Sequence, residues 1–171
     1  MIDCGLCVIR SWQWGDEQSL TQHANNKEIW LNLRDRFPHP YTLADAQQWL
    51  TTIVGVYPET GFAITVEGEA VGAIGVVLHE DIERCSAEVG YWLGETYWGR
   101  GLLTAALRVF TRYALDAFAL TRLYAVPFLR NAASINVLEK AAYQREGIMR
   151  RSAIKDGHVI DQALYAYVAD T

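Results

Sequence analysis

Glu88-Val89-Gly90-Tyr91-Trp92-Leu93-Gly94-Glu95-Thr96-Tyr97-Trp98-Gly99-Arg100-Gly101-Leu102-Leu103-Thr104 is the stretch on which the reading of this chain turns. Glu88 to Leu93 is β-branched and aromatic and reads as a strand. Gly94 ends it. Gly99-Arg100-Gly101 then opens a segment with apolar residues at Leu103, Leu107, Phe110, Ala114 and Leu115, which is helical spacing. A glycine-rich turn leading into a helix leaves backbone N–H groups unpaired at the positive end of the helix dipole. Such an end accepts an anion, most often a phosphate. The stretch is neither a P-loop, since no Gly-Lys-Ser/Thr follows, nor the Gly-x-Gly-x-x-Gly dinucleotide fingerprint. By itself it is also compatible with a tight turn and nothing more.

Outward from that stretch the chain alternates. On the N-terminal side, Ile2 to Arg10 reads as a first strand and Asp16 as the cap of a short helix through Asn25. Lys27 to Arg34 adds a turn or two of helix. Thr42 and Asp45 form a capping-box start for a helix through Val56. The two prolines of Arg34-Asp35-Arg36-Phe37-Pro38-His39-Pro40-Tyr41 forbid regular helix there, leaving a loop dense in aromatic and charged groups. Phe62–Val66, Ala70–Leu78 and Ser86–Leu93 make an antiparallel meander. On the C-terminal side, strand Thr121–Val126, helix Asn131–Ala142 and strand Tyr143–Arg150 follow. Asp156-Gly157 turns the chain into a last strand, Val159–Val168. The expectation is one mixed β/α domain spanning residues 1–171.

Composition narrows the class. The chain has 171 residues, of which 51% are hydrophobic, enough for a sizeable core. A net charge of −5 argues against a nucleic-acid partner. No apolar run is long enough to span a bilayer, and residues 1–10 lack a signal-peptide pattern. Cys4, Cys7 and Cys85 are the only cysteines. Cys4-x-x-Cys7 has no two further ligands at zinc spacing, so no metal site is expected and the thiols read as packed side chains. An odd cysteine count fits a reducing cytoplasm.

The element order and the Trp98–Thr104 loop resemble the GNAT superfamily of acyl-CoA-dependent N-acetyltransferases. A second motif agrees: Asn131-Ala132-Ala133-Ser134, Leu138-Glu139-Lys140, Ala142-Tyr143, Glu146-Gly147 and Arg150 resemble the pattern of its RimJ/RimL-type ribosomal-protein branch. Glu88–Leu93 matches that branch's fourth strand. The resemblance implies a twisted, mostly antiparallel sheet of about seven strands flanked by helices, with strands 4 and 5 splayed around the cofactor. It implies direct acetyl transfer from acetyl-CoA to a primary amine, either a protein N-terminus or a small molecule, by a monomer or homodimer. The alternative is a CoA-binding sensor or interaction module without turnover.

By the same resemblance, the amides of Gly99, Arg100, Gly101, Leu102, Leu103 and Thr104 face the pyrophosphate. The backbone of Tyr91, Trp92 and Leu93 pairs with pantetheine, and Asn131 contacts the cofactor. Ser134 donates to the departing sulfur, and Glu88 is the candidate base. Each has a plainer reading: solvated arginine for Arg100, N-cap for Asn131, helix-start serine for Ser134, cross-strand pair for Glu88. Trp30, Arg34, Phe37, His39 and Tyr41 are the expected acceptor wall. Two departures stand out. Leu103 occupies a position where the superfamily carries Gly or Ala. Leu138 occupies the place of a tyrosine that many members use as general acid.

Overall fold

A computed structural model describes residues 1–169. One eight-stranded sheet runs through it in the order β1-β2-β3-β4-β5-β6-β8-β7. The strands are β1 (Ile2–Asp3), β2 (Val8–Ser11), β3 (Gly61–Val66), β4 (Glu69–Leu78), β5 (Ser86–Leu93), β6 (Arg122–Ala125), β7 (Gln144–Lys155) and β8 (His158–Val168). Every neighbouring pair is antiparallel except β5 and β6. The helices are α1 (Glu17–Ala24), α2 (Lys27–Trp30), α3 (Leu43–Ile53), α4 (Leu102–Ala117) and α5 (Ala132–Lys140).

The eighth strand comes from the N-terminus. The expected strand Ile2–Arg10 is folded back on itself as β1 and β2. Gly5 takes a φ of 77°, its N–H donates to Asp3 Oδ1 at 2.8 Å, and Cys4 N–H donates to the Cys7 carbonyl at 2.9 Å. An Asp two residues before the N–H it binds makes a local turn that competes with a continuous strand. α2 is also shorter than expected: the Asn26 side chain caps it, and it ends at Trp30. β7 is longer, running to Lys155 with irregular pairing after Met149.

Alternation along the strands supplies two cores. On one face, Ile64, Ile74, Val89 and Leu123 meet Leu107 and Phe110 of α4. On the other, Ala63 and Ala70 meet Trp12, Leu20 of α1, and Ala46 and Leu50 of α3. The small strand residues on that second face let the helices approach closely. The capping box expected at Thr42 is formed, with Thr42 N–H donating to Asp45 Oδ2 at 2.8 Å and Asp45 N–H to Thr42 Oγ1 at 3.2 Å.

The feature that positions the site is the parting of β5 from β6. They pair only through Ser86, Ala87 and Glu88 with Arg122, Leu123 and Tyr124. Beyond that point β5 stays with β4 as far as Leu93 against Gly72. The chain after β6 instead follows β8. Ala163 N–H donates to the Pro127 carbonyl and Leu129 N–H to the Asp161 carbonyl, both at 2.9 Å, and Phe128 bridges to Gln162. Pro127 has no N–H to offer β5. The edge of β5 from Val89 to Leu93 therefore faces a gap.

Candidate active site

That gap is a cleft of about 480 Å³. One wall is β5 and the loop behind it, the other is the 125–128 segment and α5, and the start of α4 closes one end.

The glycine end is built from backbone. Gly99 and Gly101 adopt φ of 74° and 79°, the left-handed region open to glycine at least cost. Gly101 is the N-cap of α4, and it offers no side-chain cap. The first N–H groups of a helix have no acceptor inside it. Leu102, Leu103 and Thr104, whose N–H groups belong to that first turn, line the cleft at the positive end of a 16-residue helix. The loop is held to β5 by Trp98, whose indole N–H donates to the Leu93 carbonyl at 2.7 Å. The Leu103 side chain lies half-buried against the α4 core. Arg100 is exposed and its guanidinium lies over the Tyr97 ring, 5.4 Å from the centroid. Of the two residues, it is Tyr97 that faces the cleft.

The middle of the cleft carries hydroxyls. Asn131 caps α5, with Oδ1 accepting from Ser134 N–H at 3.1 Å. Ser134 lines the cleft, and its Oγ lies 3.0 Å from the Tyr91 hydroxyl across the gap. Burial pushes the Tyr91 phenol well above its ordinary pKa, against a smaller opposing effect from the Ser134 hydrogen bond. Leu138, one turn beyond Ser134, is wholly buried.

At the other end Arg34 and Glu88 form an ion pair, with side chains 55% and 23% exposed. Both line the cleft. The remaining loop residues are placed elsewhere. Phe37 and Tyr41 pack together at 5.0 Å in the second core, and Phe37 meets Trp92 edge-on at 5.8 Å. Trp30 lies beside His39 at 5.7 Å. The Lys155 ammonium sits 4.0 Å from the Trp30 ring centre and donates to Asp35 Oδ1 at 2.8 Å. The Lys155 side chain is 1% exposed, so a buried cation from β7 pins this loop from behind. Arg130 ties down the chain just ahead of the loop, donating to the Leu31 carbonyl at 2.9 Å.

Sequence reading missed Asn136 and Lys140, which line the cleft with Ala133. Their spacing along α5 is helical and gave a usable signal. It also missed Gln162 and Phe128, which only the β6–β8 pairing brings in. Among the described residues no group of three or more His, Cys, Asp or Glu is arranged to hold a metal ion, and no helix is long and apolar enough to cross a membrane.

Comparison with known proteins agrees with this architecture. The Acetyltransferase (GNAT) domain family matches residues 7–144. An uncharacterized N-acetyltransferase, p20, of Bacillus licheniformis is 31% identical over 167 residues, covering 93% of this chain and 90% of its own. The ribosomal-protein-serine acetyltransferase of Escherichia coli is 27% identical over 110 residues, 64% of this chain and 61% of its own. Among solved structures, the ribosomal-protein-S5-alanine acetyltransferase from Vibrio fischeri superposes with a TM-score of 0.83 at 21% identity, covering 99% of this chain and 96% of that one. This chain belongs to the GNAT family of acetyl-CoA-dependent N-acetyltransferases.

Proposed function

We propose that this enzyme moves the acetyl group of acetyl-CoA directly onto a primary amine, with a protein N-terminal α-amine as the first acceptor to test and a small-molecule amine as the second. The observation that carries the reading is the shape of the cleft. A helix start with no side-chain cap, a strand edge not paired to β6 and a serine line one groove, and they match in order the pyrophosphate, pantetheine and thioester of the cofactor.

In this reading the amides at Gly99 to Thr104 hold the pyrophosphate. The free edge of β5 at Tyr91, Trp92 and Leu93 takes the pantetheine amides as an added strand, because an unpaired edge needs partners. The amide nitrogen of Asn131 remains a donor toward the same chain. The amine attacks the thioester carbonyl, and β5 backbone N–H groups stabilise the oxyanion. The C–S bond then breaks, its electron pair goes to sulfur, and the Ser134 hydroxyl donates a hydrogen bond to the thiolate. The nitrogen gives up its proton to Glu88, directly or through water. Arg34 competes for that carboxylate, so an acceptor must separate the pair before Glu88 serves as base. The names borne by relatives that act on ribosomal proteins support a protein N-terminus as acceptor.

The test is calorimetric titration with acetyl-CoA, dephospho-CoA and ATP, followed by transfer assays on N-terminal peptides and on free amino acids and polyamines. Micromolar acetyl-CoA binding, without comparable ATP binding, and turnover with peptides support the reading. Binding without consumption by any amine overturns it. Turnover with small amines alone overturns the peptide acceptor and leaves the chemistry.

A further inference from the structure

We infer that Tyr91 is a positioning residue for the leaving-group step, holding the Ser134 oxygen so that the serine's own proton points at the departing sulfur. The inference rests on the Ser134 role proposed above.

Two hydroxyl protons, those of Tyr91 and Ser134, must be placed. A serine in the first turns of a helix usually returns its hydroxyl to a backbone carbonyl three or four residues back. Ser19 does so here in the first turn of α1, donating to the Asp16 carbonyl at 3.1 Å. Among the described residues the Ser134 Oγ has one partner, the Tyr91 hydroxyl at 3.0 Å. The phenol has a second acceptor within reach, the Ser134 carbonyl, at the longer distance of 3.3 Å. In a regular helix that carbonyl already accepts from the N–H four residues on, at Leu138. Donation from Tyr91 to Ser134 Oγ is therefore the better-satisfied arrangement. It leaves the serine proton without an internal acceptor, on the wall of the cleft. A hydroxyl that accepts one hydrogen bond becomes a stronger donor of the next. Burial keeps the phenol protonated beyond the pH range in which ordinary tyrosines ionise, so the prop is not withdrawn as the medium becomes alkaline.

This arrangement also answers the hydroxyl missing from α5. Leu138 is fully buried and cannot donate. The second hydroxyl comes instead from β5, and it reaches the sulfur through Ser134. Tyr91 remains a prop, because the thiolate accepts only from the serine.

Tyr91→Phe, Ser134→Ala and the double variant test this, with kcat and KM measured for acetyl-CoA and binding measured separately. Tyr91→Phe should lower kcat about fivefold, the worth of one hydrogen bond, with acetyl-CoA affinity and melting temperature unchanged. The double variant should be no slower than Ser134→Ala, because the prop acts only through the serine. In Tyr91→Phe, Ser134→Thr should restore nothing, while the wild-type pair should show no loss of kcat between pH 8 and about 10 attributable to phenol ionisation. Full kcat in Tyr91→Phe overturns the inference and leaves Ser134 in place if Ser134→Ala is slow. A full rate in Ser134→Ala removes both. Losses that multiply in the double variant, or weakened acetyl-CoA binding in Tyr91→Phe, assign Tyr91 to packing and overturn it as well.

Discussion

The two ends of the cleft are made of different materials. The glycine end is backbone: two left-handed glycines, the uncapped start of α4 and a tryptophan brace, all within residues 93–104. The Arg34–Glu88 end is side chains drawn from a loop, from β5 and, behind them, from β7. Backbone donors survive every substitution except proline and are otherwise only displaced. Side-chain partners can be deleted singly. The first end is thus tolerant of sequence and intolerant of shape, and the second end is the reverse.

The largest effect is expected where chemistry depends on one side chain. Glu88→Gln should lower kcat at neutral pH on the order of a hundredfold, the range of positioned acid–base catalysis, and move the rate profile to higher pH as the amine deprotonates unaided. An unmoved profile would show that the acceptor arrives neutral. Next comes the shape of the backbone end. Gly101→Val forces a β-branched residue to a φ of 79° and should weaken acetyl-CoA binding on the order of tenfold, with Glu88 chemistry intact once the cofactor is saturating. Unchanged affinity would mean that the helix start does not hold the phosphates.

Most of the fold and the first end were legible because their determinants are local. The Gly99–Gly101 turn, the Thr42–Asp45 capping box and the Asn131 cap each fit within four residues. The second end was not. Arg34 meets Glu88 across 54 positions and Lys155 meets Asp35 across 120. No periodicity encodes such pairs; strand order does. The aromatic density of the 34–41 loop was real, but Phe37 and Tyr41 spend it on the second core, where a face lined by Ala63 and Ala70 leaves room for large rings. The split of the first strand was signalled by Asp3 and Gly5, which strand propensity outweighed in the reading.

Lys155 offers a finer contrast between the ends. Lys155→Met keeps the stem and removes the charge that ties Asp35 and Trp30 to the hairpin. It should raise the KM for the amine severalfold, leave that for acetyl-CoA alone, and cost about 1 kcal/mol or less in stability, since Asp35 is exposed to water. Equal effects on both substrates would show that the loop does not belong to one end.

The smallest effect lies outside both ends. The Arg122 guanidinium holds the Glu146 carboxyl below its usual range. A depressed folded-state pKa means stability that is present above the unfolded carboxylate pKa and lost as pH falls through the folded one. Glu146→Gln should flatten the acid limb of the melting profile by under about 1 kcal/mol, because the pair is part-exposed and screened by solvent. Kinetics should not change.

The gap between β5 and β6 makes the sheet two half-sheets joined at three residue pairs. A ligand that lies along the free edge is in effect a ninth strand supplied from outside. At a hundredfold excess over its dissociation constant it would add about 2.7 kcal/mol to stability. With acetyl-CoA on that edge as proposed, the melting temperature and the resistance to protease should therefore rise with its concentration.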